Sequence, residues 1–248
     1  MIDIDYDFRT DAKGRDPDKH SATLRNYHRS LWSKTLPNGK KFILKDAWNE
    51  YLSYNAGDKE HFFSSDSVIH TYSNENSGWR KYMGEIIDKI PRYEIEEFHH
   101  LGYTIGAMMI FPRKRVGNKS TINGARGMNC KIADRFDLTL ECIRLFYNEK
   151  ESPLTDVLSR YRWFFELFTD FKGYADFFLL QDMVESDYSG ILFFHPFNGF
   201  EPWPLPKTVD EYMRYKERST SFIKKRNLRI KRWADENQKD RSIESYGV

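Results

Sequence analysis

From Thr208 the chain commits to one long amphipathic helix. Thr208 and Glu211 form a capping box, each side chain answering a backbone N–H that the first turn leaves free. Val209, Tyr212, Met213, Phe222, Ile223, Ile230 and Trp233 then recur at helical spacing. Helix is expected over 208–238, with a frayed end in the last ten residues. So long an element needs the rest of the chain to cover its apolar stripe.

Most of what precedes it also reads as helix. Leu24, Tyr27, His28, Leu31 and Trp32 follow Ser21, a good N-cap, at i, i+3, i+4, i+7 and i+8. "SGWRKYMGEIIDKI" is a helix halted before Pro91, and "EIEEFHHLGY" a short one. Further helices are expected over 130–148, 153–168 and 173–184, with Pro153 at a first helical position.

Strand signals are fewer. "KKFIL" follows the turn at Pro37-Asn38-Gly39. "TIGAMMIFP" is a buried strand, and "TI" at 121–122 starts its partner beyond the Gly117-Asn118 turn. "GILFFHPF" is a late strand. Residues 45–76 fit no single period, and 1–20 are polar loop. With no internal repeat and no low-complexity linker, the expectation is α+β: a single mainly helical domain over 1–248 with a small antiparallel sheet.

Composition narrows the function classes. A chain of 248 residues with 40% hydrophobic and 31% charged side chains can bury its own core. The net charge of +2, from 39 basic and 37 acidic residues, excludes a polycationic tail but allows local basic patches. Cys130 and Cys142 share one expected helix. At about 1.5 Å of rise per residue they stand roughly 18 Å apart, too far for a disulfide. Free thiols fit a cytoplasmic location. The acidic start "MIDIDYDFR" is no signal peptide, and no apolar run suggests a membrane span.

Several stretches carry a resemblance. "TLRNYHRSLWSK", "YTIGAMMIFP", "TINGARG", "DRFDLTLECIR" and "DFKGYADFFLLQD" resemble a widespread family of uncharacterised bacterial proteins, and the likeness covers nearly the whole chain. The resemblance implies a bacterial cytosolic protein of unknown function and carries over no catalytic residue.

Three regions could hold chemistry. In the first, the "NGARG" loop precedes a helix start. Gly124 and Gly127 let backbone approach a ligand, Asn123 could orient it and Arg126 offers a charged fork, although no known phosphate-loop pattern is matched. On the following helix Asp134, Asp137, Glu141, Arg144 and Asn148 form a solvated face. Arg135 instead falls inside the apolar sector and must be paired, either by a carboxylate of the chain or by an anionic ligand.

In the second region, "DPDKH" is a polar turn rather than a metal site. The helix after it presents Arg25 and His28, the latter either a satisfied core histidine or an acid or base. "EIEEFHH" has no second copy, so no metal site is expected there. In the third, Arg214, Arg218, Lys225, Arg229 and Arg232 share one face of the long helix. That face is either a ridge for a phosphate backbone or simply solvated. Trp163 points away from its helix's core face and covers a neighbouring element or a partner subunit.

The leading functional expectation is binding of a nucleotide or other phosphorylated small molecule, with or without catalysis on it. Arg25, Asn123, Gly124, Arg126, Gly127 and Arg135 would be the ligand residues and His28 the acid or base. The alternatives are a nucleic-acid binder or nuclease using the basic helix, and a non-catalytic interaction protein. No motif names a cofactor, a reaction or an oligomeric state.

Overall fold

The computed structural model describes residues 2–48, 51–74, 77–113 and 116–244. Among the described residues the fold is α+β, mainly helical with two small antiparallel sheets. The N-terminal stretch is not wholly loop: it carries the one-turn helices α1 (Arg9–Ala12) and α2 (Pro17–His20). Asp16 caps α2, its carboxylate accepting from the Asp18 N–H at 3.1 Å. Ser21 caps α3 (Ala22–Trp32), accepting from the Leu24 N–H at 3.0 Å.

β1 (Lys34–Thr35) and β2 (Lys41–Phe42) close the proline turn as a minimal hairpin. The main sheet comes from the stretch that fits no period. β3 (Lys45–Asp46), β4 (Leu52–Ala56) and β5 (Lys59–Ser67) run antiparallel in order, and β6 (Met108–Pro112) completes the sheet beside β5. β6 is buried throughout. β5 is rich in serine, so its alternation is polar on both sides and its apolar signature is weak.

Between β5 and β6 lie α4 (Arg80–Ile87) and α5 (Arg92–Gly102). After β6 the chain is helical: α6 (Ile122–Met128), α7 (Phe136–Tyr147), α8 (Thr155–Arg160), α9 (Arg162–Phe165), α10 (Phe171–Phe177) and α11 (Val209–Glu244). Residues 245–248, where part of the frayed end is expected, lie outside the described residues. Trp163 stacks on His61 of β5 at 3.6 Å between ring centroids, so it covers the sheet.

Three local expectations are corrected. "TI" at 121–122 is not a strand: Thr121 caps α6 by accepting from the Gly124 N–H at 3.2 Å, and the "NGARG" stretch is helix rather than loop. The helix expected from residue 130 begins at Phe136. Ala133 and Asp134 stand at φ +50° and +59°, a left-handed pair that turns the chain before α7 can start. The late strand is reduced to one isolated bridge between Val184 and Ile191.

α7 runs through the core. Every residue from Phe136 to Ile143 is buried, including Asp137 and Glu141 of the face expected to be solvated. α11 packs on the turn Ile105–Ala107 just before β6. A Cβ at Gly106 would meet Asn227 Oδ1 at 2.5 Å and the Ile223 carbonyl at 2.7 Å, so only glycine allows that approach. Arg226 enters the core here, donating to the carbonyls of Gly106, Met108 and Phe178.

Candidate functional site

A cleft of about 680 Å³ opens where α2 and the strand β5 meet the start of α6. Asp16, Asp18 and Lys19 come from the capped turn of α2. Phe62, Ser64, Ser65 and Asp66 come from β5, and Trp48 and Tyr51 from the chain between β3 and β4. Arg113 follows β6, and Thr121 and Asn123 come from the first turn of α6.

The floor is polar and incompletely satisfied. Asn123 donates its amide to Ser64 Oγ at 3.5 Å, while its Oδ1 is buried without a protein partner. Asp18 Oδ1 is likewise buried without a partner. A buried acceptor that no donor answers is costly, so two of them in one cleft are a strong feature. Burial pushes the Asp18 carboxyl well above the ordinary carboxylate range, helped by the charges of Asp66 and Asp16 and opposed by Lys19 and Arg126.

Asp66 has different surroundings. Its Oδ2 receives Arg126 Nη1 at 2.6 Å and its Oδ1 the Ser67 N–H at 3.0 Å. Burial lifts its pKa to about 6, and the Arg126 guanidinium limits the rise. Above the floor stand Trp48, Tyr51 and Phe62. The Arg113 guanidinium carbon stands over the Tyr51 ring at 3.7 Å from its centroid, and among the described residues no carboxylate is paired with it. Lys19 Nζ is 3.2 Å from Asp16.

Of the expected ligand residues, only Asn123 lines this cleft directly. Arg126 is buried beneath it as a bridge. Besides Asp66, its Nη1 lies 3.1 Å from Asp134 Oδ1, and Nη2 donates to the Asp134 carbonyl at 3.0 Å. Asp134 borders a second cleft of about 410 Å³, lined by His70, Trp79, Tyr82, Met128 and Trp203. Gly124 and Gly127 are helical, with neither at positive φ, and the Gly127 carbonyl accepts the Trp79 indole N–H at 2.9 Å. Arg25 donates to the Lys19 carbonyl at 3.1 Å and does not line the cleft.

Arg135 has its partner within the chain. Asp137 receives Nε at 3.1 Å and Nη2 at 2.5 Å, and the carbonyls of Pro204 and His195 accept from Nη1 at 2.9 Å and from Nη2 at 2.6 Å. Both charged side chains are 0% exposed. The guanidinium is spent on this pair and on tying the 195–204 segment to α7, so its role is structural.

His28 is also structural. The Trp32 indole can only donate, and it donates to Nδ1 at 2.9 Å. The ring proton therefore sits on Nε2 and points to Ser65 Oγ at 2.9 Å. That is the wrong tautomer to take a proton from Ser65. Burial, with the Arg226 charge, depresses the imidazole to about 3.

The basic ridge is only partly free. Arg229 pairs with Asp182 at 3.0 Å, and Arg218 reaches the Phe193 carbonyl at 3.4 Å. Arg214, Lys225 and Arg232 are exposed. Among the described residues, no group of three or more His, Cys, Asp or Glu side chains is arranged to hold a metal ion. No helix among them is long and apolar enough to cross a membrane.

Asp66, Arg113 and the aromatic residues Trp48, Tyr51 and Phe62 line the site although the sequence does not single them out. Asp66 sits in the serine-rich strand whose period is obscured, and Arg113 directly follows a fully apolar strand. Asp18 was visible only as part of a polar turn.

Fold and cleft together define an α+β protein with an acid-floored, aromatic-walled cleft. The chain belongs to a family of unknown function, DUF6994, whose model matches residues 2–230. Neither the curated proteins nor the solved structures yielded a match.

Proposed function

We propose that this cleft binds a nucleotide or a closely similar phosphorylated ring compound. The observation that carries the reading is the pair of unanswered buried oxygens, Asp18 Oδ1 and Asn123 Oδ1, at the floor of an aromatic-walled cleft. Asn123 Oδ1 calls for a hydrogen-bond donor, as ribose hydroxyls are, and the Asp18 carboxyl, which burial keeps protonated, calls for a polar partner such as a base nitrogen. Trp48, Tyr51 and Phe62 offer flat apolar surface to a ring. Arg113, and Lys19 once drawn from Asp16, offer cations at the mouth to a phosphate. The ligand class is the one expected from sequence, carried by a set of residues that shares only Asn123 with the expected one. The free thiols of Cys130 and Cys142 support a cytoplasmic setting for it.

The test is a thermal-shift and calorimetry panel of AMP, GMP, CMP and UMP, with ribose 5-phosphate and the free nucleosides as partial ligands. At least one nucleotide should raise the melting temperature, with a stabilisation of about 2.7 kcal/mol at a hundredfold excess over Kd. Arg113→Ala should weaken nucleotide binding about tenfold and leave nucleoside binding little changed. Failure of every nucleotide to shift the transition would overturn the reading.

A further inference from the structure

The two carboxyl groups on the cleft floor are not equivalent, and the difference has chemical content. Asp66 is held by a guanidinium and a backbone N–H, both of which favour its ionised form. Asp18 has one oxygen without a hydrogen-bond partner, and Lys19, whose charge bears on it, is engaged by Asp16. Two acids in one cleft whose surroundings separate their proton affinities are the arrangement that divides acid and base roles.

Resting on the nucleotide reading, we infer that the cleft hydrolyses the glycosidic bond of its ligand, with Asp18 as the proton donor to the leaving base and Asp66 as the proton acceptor from water. The bond between the anomeric carbon and the base nitrogen breaks, and its electron pair stays with the base. Asp18 delivers its proton to that base. A water oxygen bonds to the anomeric carbon while one of its protons passes to Asp66. The products are a free base and ribose 5-phosphate, and exchange with solvent then returns Asp18 to its acid form and Asp66 to its carboxylate.

Geometry and charge agree with this division. Asp18 and Asp66 line one cleft together with Asn123, whose free Oδ1 can accept from a ribose hydroxyl. Burial holds the Asp18 proton on well above the ordinary carboxylate range, whereas Asp66, at about 6, is mostly ionised at neutral pH. The charged and titratable groups that bear on Asp18 are Asp16, Lys19, Asp66, Arg126 and Tyr103, and both cations oppose the rise. The aromatic wall gives the departing base a surface to stay stacked on while its bond to the sugar weakens.

The experiment uses the full chain with AMP, GMP, CMP and UMP, reading released base and ribose 5-phosphate by chromatography. Thermal shift is measured on the same samples. Wild type should release base from at least one nucleotide that it binds. Asp18→Asn should lose about 10²–10⁴-fold in rate while the same nucleotide still shifts its melting. Asp18→Glu keeps an acid and should retain more of the rate than Asp18→Asn. Binding without base release overturns the inference and leaves the binding reading standing. Release by Asp18→Asn at the wild-type rate, or equal rates in the two variants, also overturns it. No thermal shift with any nucleotide removes both.

Discussion

At the scale of single residues, charge and burial decide which side chains are available for chemistry. Arg135 and His28 read as site residues because polar groups on apolar faces need an explanation, and Arg126 because it sits in a glycine-bearing stretch. All three are satisfied within the chain. Arg135 and Arg126 have carboxylate partners, and His28 lies between an indole donor and a serine acceptor. Asp18 is the opposite case, a polar residue of a surface turn whose carboxyl is left half answered. Its raised pKa has a signed consequence for stability. The folded chain holds this proton to higher pH than the unfolded one, so the contribution is fully present below the unfolded value and is lost as pH rises through the folded value. Asp18→Asn has no proton to lose. Melting curves should show no advantage for the variant near pH 3.5 and a growing one towards pH 8. An advantage that stays constant across that range would refute this account. A site that gains stability when its acid is removed is what a functional compromise looks like.

Among the elements, α6 and α7 show how much was legible and why the rest was not. The amphipathic helices α3, α4 and α5 and the apolar strand β6 declare themselves by period, cap and proline stop. The join between α6 and α7 does not. A helical wheel drawn from residue 130 runs through the left-handed pair Ala133 and Asp134, neither of them glycine, so no local signal marks the turn. The same wheel makes Asp137 and Glu141 solvated, because a periodicity cannot show that other parts of the chain bury α7 from Phe136 to Ile143. Arg226 was legible in principle. It lies four residues from Phe222 and Ile230 on the apolar side of α11, the same signal that singled out Arg135. The buried pair on α7 gives a prediction at this scale. Arg135→Met strands Asp137 without its cation and should cost about 3–5 kcal/mol by urea denaturation. The double variant Arg135→Met with Asp137→Leu should recover part of that loss. A double variant no more stable than the single one would show that the backbone carbonyls of His195 and Pro204, not the ion pair, hold this junction.

Across the whole molecule, α11 also packs on α4 and α5, and it makes a close backbone approach at the turn that leads into β6. Gly106 gives its N–H to Asn227 Oδ1 at 2.6 Å and its carbonyl to Arg226 Nη1 at 2.8 Å. Arg226 is buried among carbonyls and the Met109 sulfur, and burial lowers its pKa to about 9. Gly106→Ala should push the helix off this seat and cost about 1–3 kcal/mol or more, read as a lower urea midpoint with unchanged slope. A wild-type midpoint would mean that the helix yields without loss. The Arg126 bridge has a wider consequence. One guanidinium faces Asp66 in the first cleft and Asp134 in the second, where Trp79, Tyr82 and Trp203 stand. The two clefts therefore share an electrical wall. Whatever changes the charge on Asp66 changes the field at the Trp79 and Trp203 indoles, so their fluorescence, beside that of Trp48 in the first cleft, becomes a record of what occupies that cleft.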